Sequence, residues 1–165
     1  LKKEGKIRAI GASNVTAKII EKYCSLGQLD VIQENTAFWI HILRMNCYLY
    51  ARNIMFHPAY SPLEQGLLTG KVTQDTVLSP TDVRNKNKFW AQKSRLHILD
   101  ALQKLTPYTE NIVVPQQLII YLTAASLPDL HVLCGARKPE QIIDNVKTLS
   151  LNLEEADLSE MSQLF

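Results

Sequence analysis

The feature that most constrains this chain is an alternation of two kinds of segment. Four short apolar runs, "IRAIGAS" (residues 7–13), "LDVIQ" (29–33), "IMFHPAYS" (54–61) and "LHVLCGA" (130–136), are separated by stretches with helical spacing. Short apolar runs without clean polar alternation are the pattern of strands buried on both faces. Between the first two, Ile19, Ile20, Tyr23 and Leu26 recur at helical spacing behind Thr16, a suitable N-cap. Residues 43–52 can form a helix, and Leu96, Leu99, Leu102 and Leu105 mark another. Pro115 and Pro139 stand where a helix accepts proline, in the first turn. "LEEADLSEMSQLF" closes the chain as an amphipathic helix with acids at its start. Strands that alternate with helices imply an α/β protein, with a parallel sheet and right-handed crossovers. An open doubly wound sheet and part of a (β/α)8 barrel both satisfy this pattern.

Size and charge narrow the reading. At 165 residues the chain has enough material for one domain and a sizeable core. With 46% hydrophobic residues it is not a disordered sequence. Its 18 basic and 16 acidic side chains are mixed and leave a net charge of +2, which argues against a nucleic-acid or membrane surface. The absence of a transmembrane-length apolar run or signal pattern, and the scattered Cys24, Cys47 and Cys134, predict a cytoplasmic protein with small buried thiols and no metal site. The chain opens without methionine on "LKKEGK", which reads as the tail of a helix, so a fragment is expected. The polar segment from Glu64 to Lys93 is too long for a plain connection and predicts a lid or a disordered loop.

Ligands of parallel α/β proteins bind at the carboxyl ends of strands, so those positions carry the functional reading. Here they hold Ser13-Asn14, Gln33-Glu34-Asn35, Tyr60-Ser61-Pro62-Leu63 and Gly135-Ala136-Arg137-Lys138. The last leads into a helix start carrying Gln141, Asp144 and Asn145. Each group taken singly has a plain alternative. Ser13-Asn14 is a common helix entry, Gln33 can satisfy backbone groups, Gly135 can make a tight turn, and Arg137 and Lys138 can be solvated. Recurrence at four strand ends favours a ligand rim.

Three stretches, "GKIRAIGASNV" (5–15), "YSPLEQGLLTGK" (60–71) and "GARKPEQIIDNV" (135–146), resemble motifs of the aldo-keto reductases, in order and at suitable spacing. The resemblance runs along essentially the whole chain, nearest to bacterial members that act on small aldehydes such as methylglyoxal. It implies a (β/α)8 barrel that binds a nicotinamide cofactor without a Rossmann domain. A full barrel takes about 250 residues, so residues 1–165 are expected to be its carboxyl-terminal half: strands five to eight, their helices and the terminal helix.

By the same resemblance Ser13, Asn14 and Gln33 would hold the nicotinamide carboxamide, whose donors and acceptor need matching partners. Tyr60 would stack on the ring. Ser61, Pro62, Leu63, Gly66 and Leu68 would run along the pyrophosphate, with backbone N–H groups available as an anion nest. Gly135, Ala136, Arg137 and Lys138 would face the adenosine ribose, and Gln141, Asp144 and Asn145 the adenine. Two adjacent cations lean toward NADP, with NAD also possible. Arg84 would close over the pyrophosphate, or else be a solvated loop charge. The family's catalytic tyrosine, lysine, aspartate and histidine lie in the first half of its barrel, so no catalytic residue is assigned here. His57 reads as a packed strand or rim residue and Lys71 as a surface lysine.

Some features depart from the family pattern. Thr36-Ala37 stands where a Tyr-Asn pair is usual, Pro58 falls inside a strand, and Trp39 would line a pocket or cover the rim. The resulting expectation is the cofactor-binding half of an enzyme that reduces a small-molecule carbonyl by hydride transfer. A cofactor-sensing regulatory subunit and a truncated inactive member are the alternatives. A half barrel exposes two strand edges, so it is expected to need its amino-terminal half or to self-associate.

Overall fold

The computed structural model describes residues 1–35, 56–109, 114–127 and 129–162. The expected helix over 43–52, Thr36-Ala37, Trp39, Cys47 and the first residues of the third strand lie outside them. The chain divides into two compact units, one of Leu1–Pro62 with Thr123–Gly135, the other of Leu63–Leu122 with Ala136–Phe165.

The first unit carries the sheet. Its strands β1 (Gly11–Ser13), β2 (Val31–Asn35), β3 (His57–Tyr60) and β4 (Leu130–Leu133) lie in the order β1-β2-β3-β4, all parallel. This bears out the α/β class and the parallel sheet. Helix α1 (Ala17–Leu26) covers one face: Ile20 packs with Leu29 and Ile32, flanked by Ala12 and Val15. Each of those three buried side chains contributes about 2 kcal/mol by leaving water. Thr16 is the N-cap as expected, its Oγ1 accepting the Ile19 N–H at 3.4 Å.

Strand boundaries differ from those expected: β4 stops at Leu133 rather than residue 136, and β1 and β2 are displaced. β1 begins at Gly11 rather than residue 7, because the Asp30 carboxylate accepts the Ile10 N–H at 2.8 Å in place of a ladder carbonyl. Asp30 also takes Lys2 Nζ at 2.8 Å on both oxygens and Gln28 Nε2 at 2.6 Å, contacts that hold its carboxyl below the usual range. β2 is shifted two residues onward, so Glu34 and Asn35 join Gln33 as strand residues. Pro58 is accommodated in β3. The β2–β3 ladder pairs Val31 with Phe56 and resumes at Glu34–Ala59, leaving a gap opposite His57-Pro58, while β3–β4 pairing runs through. A missing donor interrupts one side of a strand only.

The chain starts with a turn in which Gly5 N–H donates to the Lys2 carbonyl and Lys6 N–H to that of Leu1, both at 3.0 Å, with Gly5 at φ 71°. That pair of bonds is the one that closes helices.

The second unit is helical. It holds α2 (Gln92–Lys104), α3 (Thr106–Thr109), most of α4 (Pro115–Ala125), α5 (Pro139–Val146) and α6 (Glu155–Ser162). Pro115 and Pro139 open α4 and α5 as their positions predict. Its buried residues include Leu67, Leu68, Trp90, Ile98, Leu102, Leu105, Leu118, Ile119 and Met161. The long polar segment is not a structureless loop. It forms 3-10 turns at Glu64–Thr69 and Val83–Lys86, linked by side-chain bonds described below. Gly70 joins the first turn to α4's start: at φ 74°, a Cβ there would sit 2.8 Å from Pro115 Cγ. Among the described residues no helix is long and apolar enough to cross a membrane. Of the thiols, Cys24 is exposed, correcting the expectation of burial: it follows Ile20 by one turn on the same helix face, and Ile20 is the residue of α1 that is buried. Cys134 is half-buried, and desolvation raises its pKa.

Candidate functional site

In the first unit, three parallel strands bring Ser13, Asn14, Gln33 and Tyr60 to neighbouring register positions. Ser13 pairs with Gln33 across β1–β2, and Asn35 with Tyr60 across β2–β3. The Tyr60 hydroxyl donates to Asn14 Oδ1 at 2.6 Å, and Asn14 Nδ2 donates to Ser13 Oγ at 3.0 Å. Ser13 and Asn14 are exposed, Gln33 and Tyr60 half-buried, so this chain of polar groups faces solvent. Capping α1 is left to Thr16, and the plain reading of Ser13-Asn14 as a helix cap is therefore not what the structure shows.

The backbone there is held in a costly shape. Asn14 has φ 55° and Ser61 φ 55°, a left-handed conformation that disfavours side chains other than glycine. Strain of this kind persists only where neighbours over-determine it. At Asn14 the neighbours are consecutive residues of β2: the Gln33 carbonyl accepts the Asn14 N–H at 3.3 Å, and Glu34 Oε1 accepts the Val15 N–H at 2.7 Å. Glu34 is 2% exposed. In the sequence Glu34 stands out only as part of a strand end; its burial on the side of Ile32, two residues earlier, emerges with the fold.

In the second unit, the glycine turn from Leu63 to Thr69 carries Glu64 (φ 44°), Gln65 (φ 56°) and Gly66 (φ 96°) in succession. Gly66 alone meets that requirement without side-chain strain. The Gly66 and Leu68 N–H groups both donate to the Leu63 carbonyl, at 2.9 and 3.2 Å. The expected anion nest therefore finds those two amides already used by the turn. Leu68 is fully buried, so its side chain belongs to the core.

Segment 79–90 is tied to this turn. Asn87 Nδ2 donates to Glu64 Oε1 at 2.7 Å and to Gln65 Oε1 at 3.1 Å, while Trp90 Nε1 donates to the Glu64 carbonyl at 3.2 Å. Arg84 lies over the Trp90 ring, 4.6 Å from its centroid, and donates through Nε and an Nη to the two oxygens of Asp82 at 2.9 and 2.6 Å. It is thus no solvated loop charge. The guanidinium's hydrogen bonds hold the Asp82 carboxyl down at about 2. Asn87 and Trp90 were not singled out from the sequence, since nothing local marks a loop side chain as bonded across twenty residues, and Asp82 was not singled out although its partner Arg84 stands two residues on.

At the start of α5, Gln141 Oε1 accepts the N–H groups of Arg137 (2.7 Å) and Lys138 (3.1 Å). This is half of a capping box, and it presents both cationic side chains as exposed at a helix start. Asp144 pairs with Lys147 at 2.8 Å, which lowers its carboxyl pKa, and Asn145 is half-buried. Gly135 and Ala136 are exposed. Gly135 has neither a positive φ nor any atom within 4 Å of a would-be Cβ, so a tight turn does not account for it.

The parallel α/β arrangement recurs in solved structures. The chain aligns with the glycerol dehydrogenase AKR11B4 from Gluconobacter oxydans at a TM-score of 0.87 and 23% identity, covering 99% of this chain and 50% of that one. The aldo/keto reductase family model matches residues 1–165. This chain belongs to the aldo/keto reductase family. Among curated relatives it is 38% identical to the NADH-specific methylglyoxal reductase of Escherichia coli (strain K12) over 99% of this chain and 50% of that protein. It is 30% identical to the aldo-keto reductase YhdN of Bacillus subtilis (strain 168), over 92% and 47%. The chain spans about half the length of the curated relatives it matches.

Proposed function

We propose that residues 1–165 are the cofactor-binding half, strands five to eight, of a nicotinamide-dependent aldo-keto reductase domain. The observation that carries this reading is the solvent-facing chain Ser13–Asn14–Tyr60 beside Gln33, at the carboxyl ends of parallel strands. Its chemistry fits the group: a carboxamide needs both donors and acceptors, and the hydroxyl and amide side chains supply both. When bound, a reduced nicotinamide supplies a hydride for a small-molecule carbonyl. Ser13, Asn14 and Gln33 orient the carboxamide, Tyr60 offers a ring face, and Ser61, Pro62, Leu63, Gly66, Leu68 and Arg84 follow the pyrophosphate. Gly135, Ala136, Arg137 and Lys138 receive the ribose end, and Gln141, Asp144 and Asn145 the adenine. Exposed Arg137 and Lys138 favour NADP(H), where a 2′-phosphate rewards them. The Escherichia coli relative is NADH-specific, so NADH is the competing choice. A small aldehyde of the methylglyoxal class is the substrate proposed by similarity to that relative.

The test is calorimetric titration of the chain with NADPH and NADH. Binding of NADPH that weakens at least tenfold in an Arg137→Ala, Lys138→Ala double variant supports the assignment; equal affinity for both cofactors in wild type and variant removes the NADP(H) preference. Absence of binding by folded chain removes the cofactor reading.

The proposal includes a second surface. Helix α5 turns Ile142, Ile143 and Val146 outward at 55% exposure or more, and the sheet ends at β1 and β4 among the described residues. Apolar faces and sheet edges of this kind are covered in stable proteins. An amino-terminal half barrel or a second copy of the chain is the proposed cover. Sedimentation that shows association rising with concentration, reversed by supplying residues of a relative's amino-terminal half, is the expected result. A monomer at all concentrations with a sharp unfolding transition contradicts it.

A further inference from the structure

We infer that Glu34 is a positioning residue for the carboxamide clamp, acting through the backbone of Val15 and never touching the cofactor. The inference rests on the cofactor reading above and assigns a role to a residue outside the rim that reading uses. Side chains alternate along a strand. In β2 the burial alternates accordingly: Ile32 and Glu34 are buried, while Val31, Gln33 and Asn35 are half-exposed. Gln33 and Glu34 therefore lie on opposite faces of the sheet. If Gln33 faces the nicotinamide, Glu34 faces the layer of Ile20 and Ile32 beneath α1.

A buried carboxylate in an apolar layer is unfavourable unless it is hydrogen-bonded. Glu34 accepts the Val15 N–H at 2.7 Å, a charge-assisted bond to backbone. Its neighbour in sequence, Gln33, accepts the Asn14 N–H through its carbonyl at 3.3 Å. Two consecutive residues of β2 thus grip two consecutive amides, on either side of the strained φ of Asn14. From Asn14 the restraint passes to Ser13 Oγ at 3.0 Å and to the Tyr60 hydroxyl at 2.6 Å. Without the Glu34 bond the Val15 amide loses a charge-assisted anchor, Asn14 relaxes toward ordinary backbone angles, and the Ser13–Asn14–Tyr60 chain loses its fixed geometry. Apolar packing alone cannot replace this, because Leu or Ala offers no acceptor to an amide.

A purely structural role would weaken everything the chain binds; a positioning role weakens only what reaches the carboxamide clamp. The experiment compares NADH with ADP-ribose, which lacks the nicotinamide, by calorimetry on the 165-residue chain and on Glu34→Ala and Glu34→Gln variants, with amide exchange read at Val15. Glu34→Gln keeps one side-chain oxygen as acceptor. The expected result is a loss of about tenfold in NADH affinity for Glu34→Ala, the size of one hydrogen bond to a charged group. ADP-ribose affinity stays within twofold, Val15 exchange accelerates, and Glu34→Gln restores most of both. Equal losses for NADH and ADP-ribose, or unchanged Val15 exchange in Glu34→Ala, overturn the proposal while leaving the cofactor reading standing. Wild-type chain that is folded yet binds none of NADH, NADPH and ADP-ribose overturns the cofactor reading itself. Should Glu34→Ala unfold, Glu34→Gln at partial rescue against wild type supplies the same NADH to ADP-ribose ratio.

Discussion

The strand-end cluster of the first unit and the glycine-turn cluster of the second solve polar organisation in opposite ways. At Ser13, Asn14 and Tyr60 the side chains bond one another at the surface, while β2 holds the backbone from below. At Glu64 to Leu68 the turn donates its own amides inward, and the cation of its neighbouring segment, Arg84, is already clasped by Asp82. The first cluster is preformed. The second must exchange partners before it can hold an anion through those groups, which makes its affinity a difference between two sets of bonds.

The largest expected effect breaks the second cluster's scaffold. Gly70→Ala places a Cβ 2.8 Å from Pro115 Cγ at φ 74°, and both the clash and the left-handed backbone oppose it. A loss of about 2–4 kcal/mol is expected in urea unfolding, with exchange at Val15 unchanged below the transition. A loss under about 0.5 kcal/mol would show that Pro115 yields easily.

Next in size is Tyr60→Phe, which keeps the ring and deletes the 2.6 Å bond to Asn14. NADH affinity should fall about fivefold, equivalent to about 1 kcal/mol, with ADP-ribose unaffected. Unchanged NADH affinity would mean the surface chain is not preorganising the clamp.

Asp82→Asn tests the exchange of partners directly. Releasing Arg84 from its carboxylate should strengthen ADP-ribose binding about threefold, a gain of about 0.6 kcal/mol. Weaker binding would show instead that Asp82 aims the guanidinium, and the contrast between preformed and exchanging clusters would disappear.

The smallest effect is in pH. The folded Asp82 carboxyl is depressed to about 2 from an ordinary 3.8. A depressed carboxylate adds stability that is complete above its unfolded value and is lost as pH falls toward its folded one. The Asp82–Arg84 clasp should thus hold at pH 4 and above and open between about pH 4 and 2. Trp90 fluorescence in a Trp39→Phe background, where Arg84 lies 4.6 Å from the ring, reports it. A transition centred above pH 5 would exclude Asp82 as its source.

Much of the architecture was legible in the residues because it depends on local chemistry. Thr16 as cap, Pro115 and Pro139 as helix openers, and the four short apolar runs follow from backbone preferences and periodicity, and the strands and helices form where these point. The strand ends that gather Ser13, Gln33 and Tyr60 follow from the same alternation. Boundaries were less legible. β1 lost four residues to an Asp30 carboxylate twenty positions away, and β2 moved two residues onward, because pairing register is a property of two strands together.

The side-chain partners were not legible at all. Arg84 could be read as a solvated charge or a ligand contact, and its carboxylate and indole neighbours emerged only with the folded loop. Gly66 signalled a left-handed turn, but where its N–H points depends on the carbonyl of Leu63 being within reach. Gln33 and Glu34 are adjacent in sequence and nearly equal in shape. The sequence by itself determined the order of strands and helices, the family motifs and the positions of the polar strand ends, all of which local propensity and spacing encode. Only the tertiary structure decided that Gln33 lies beside the rim while Glu34 lies beneath it, because the sheet's pleat and the packing of α1 assign each residue its face.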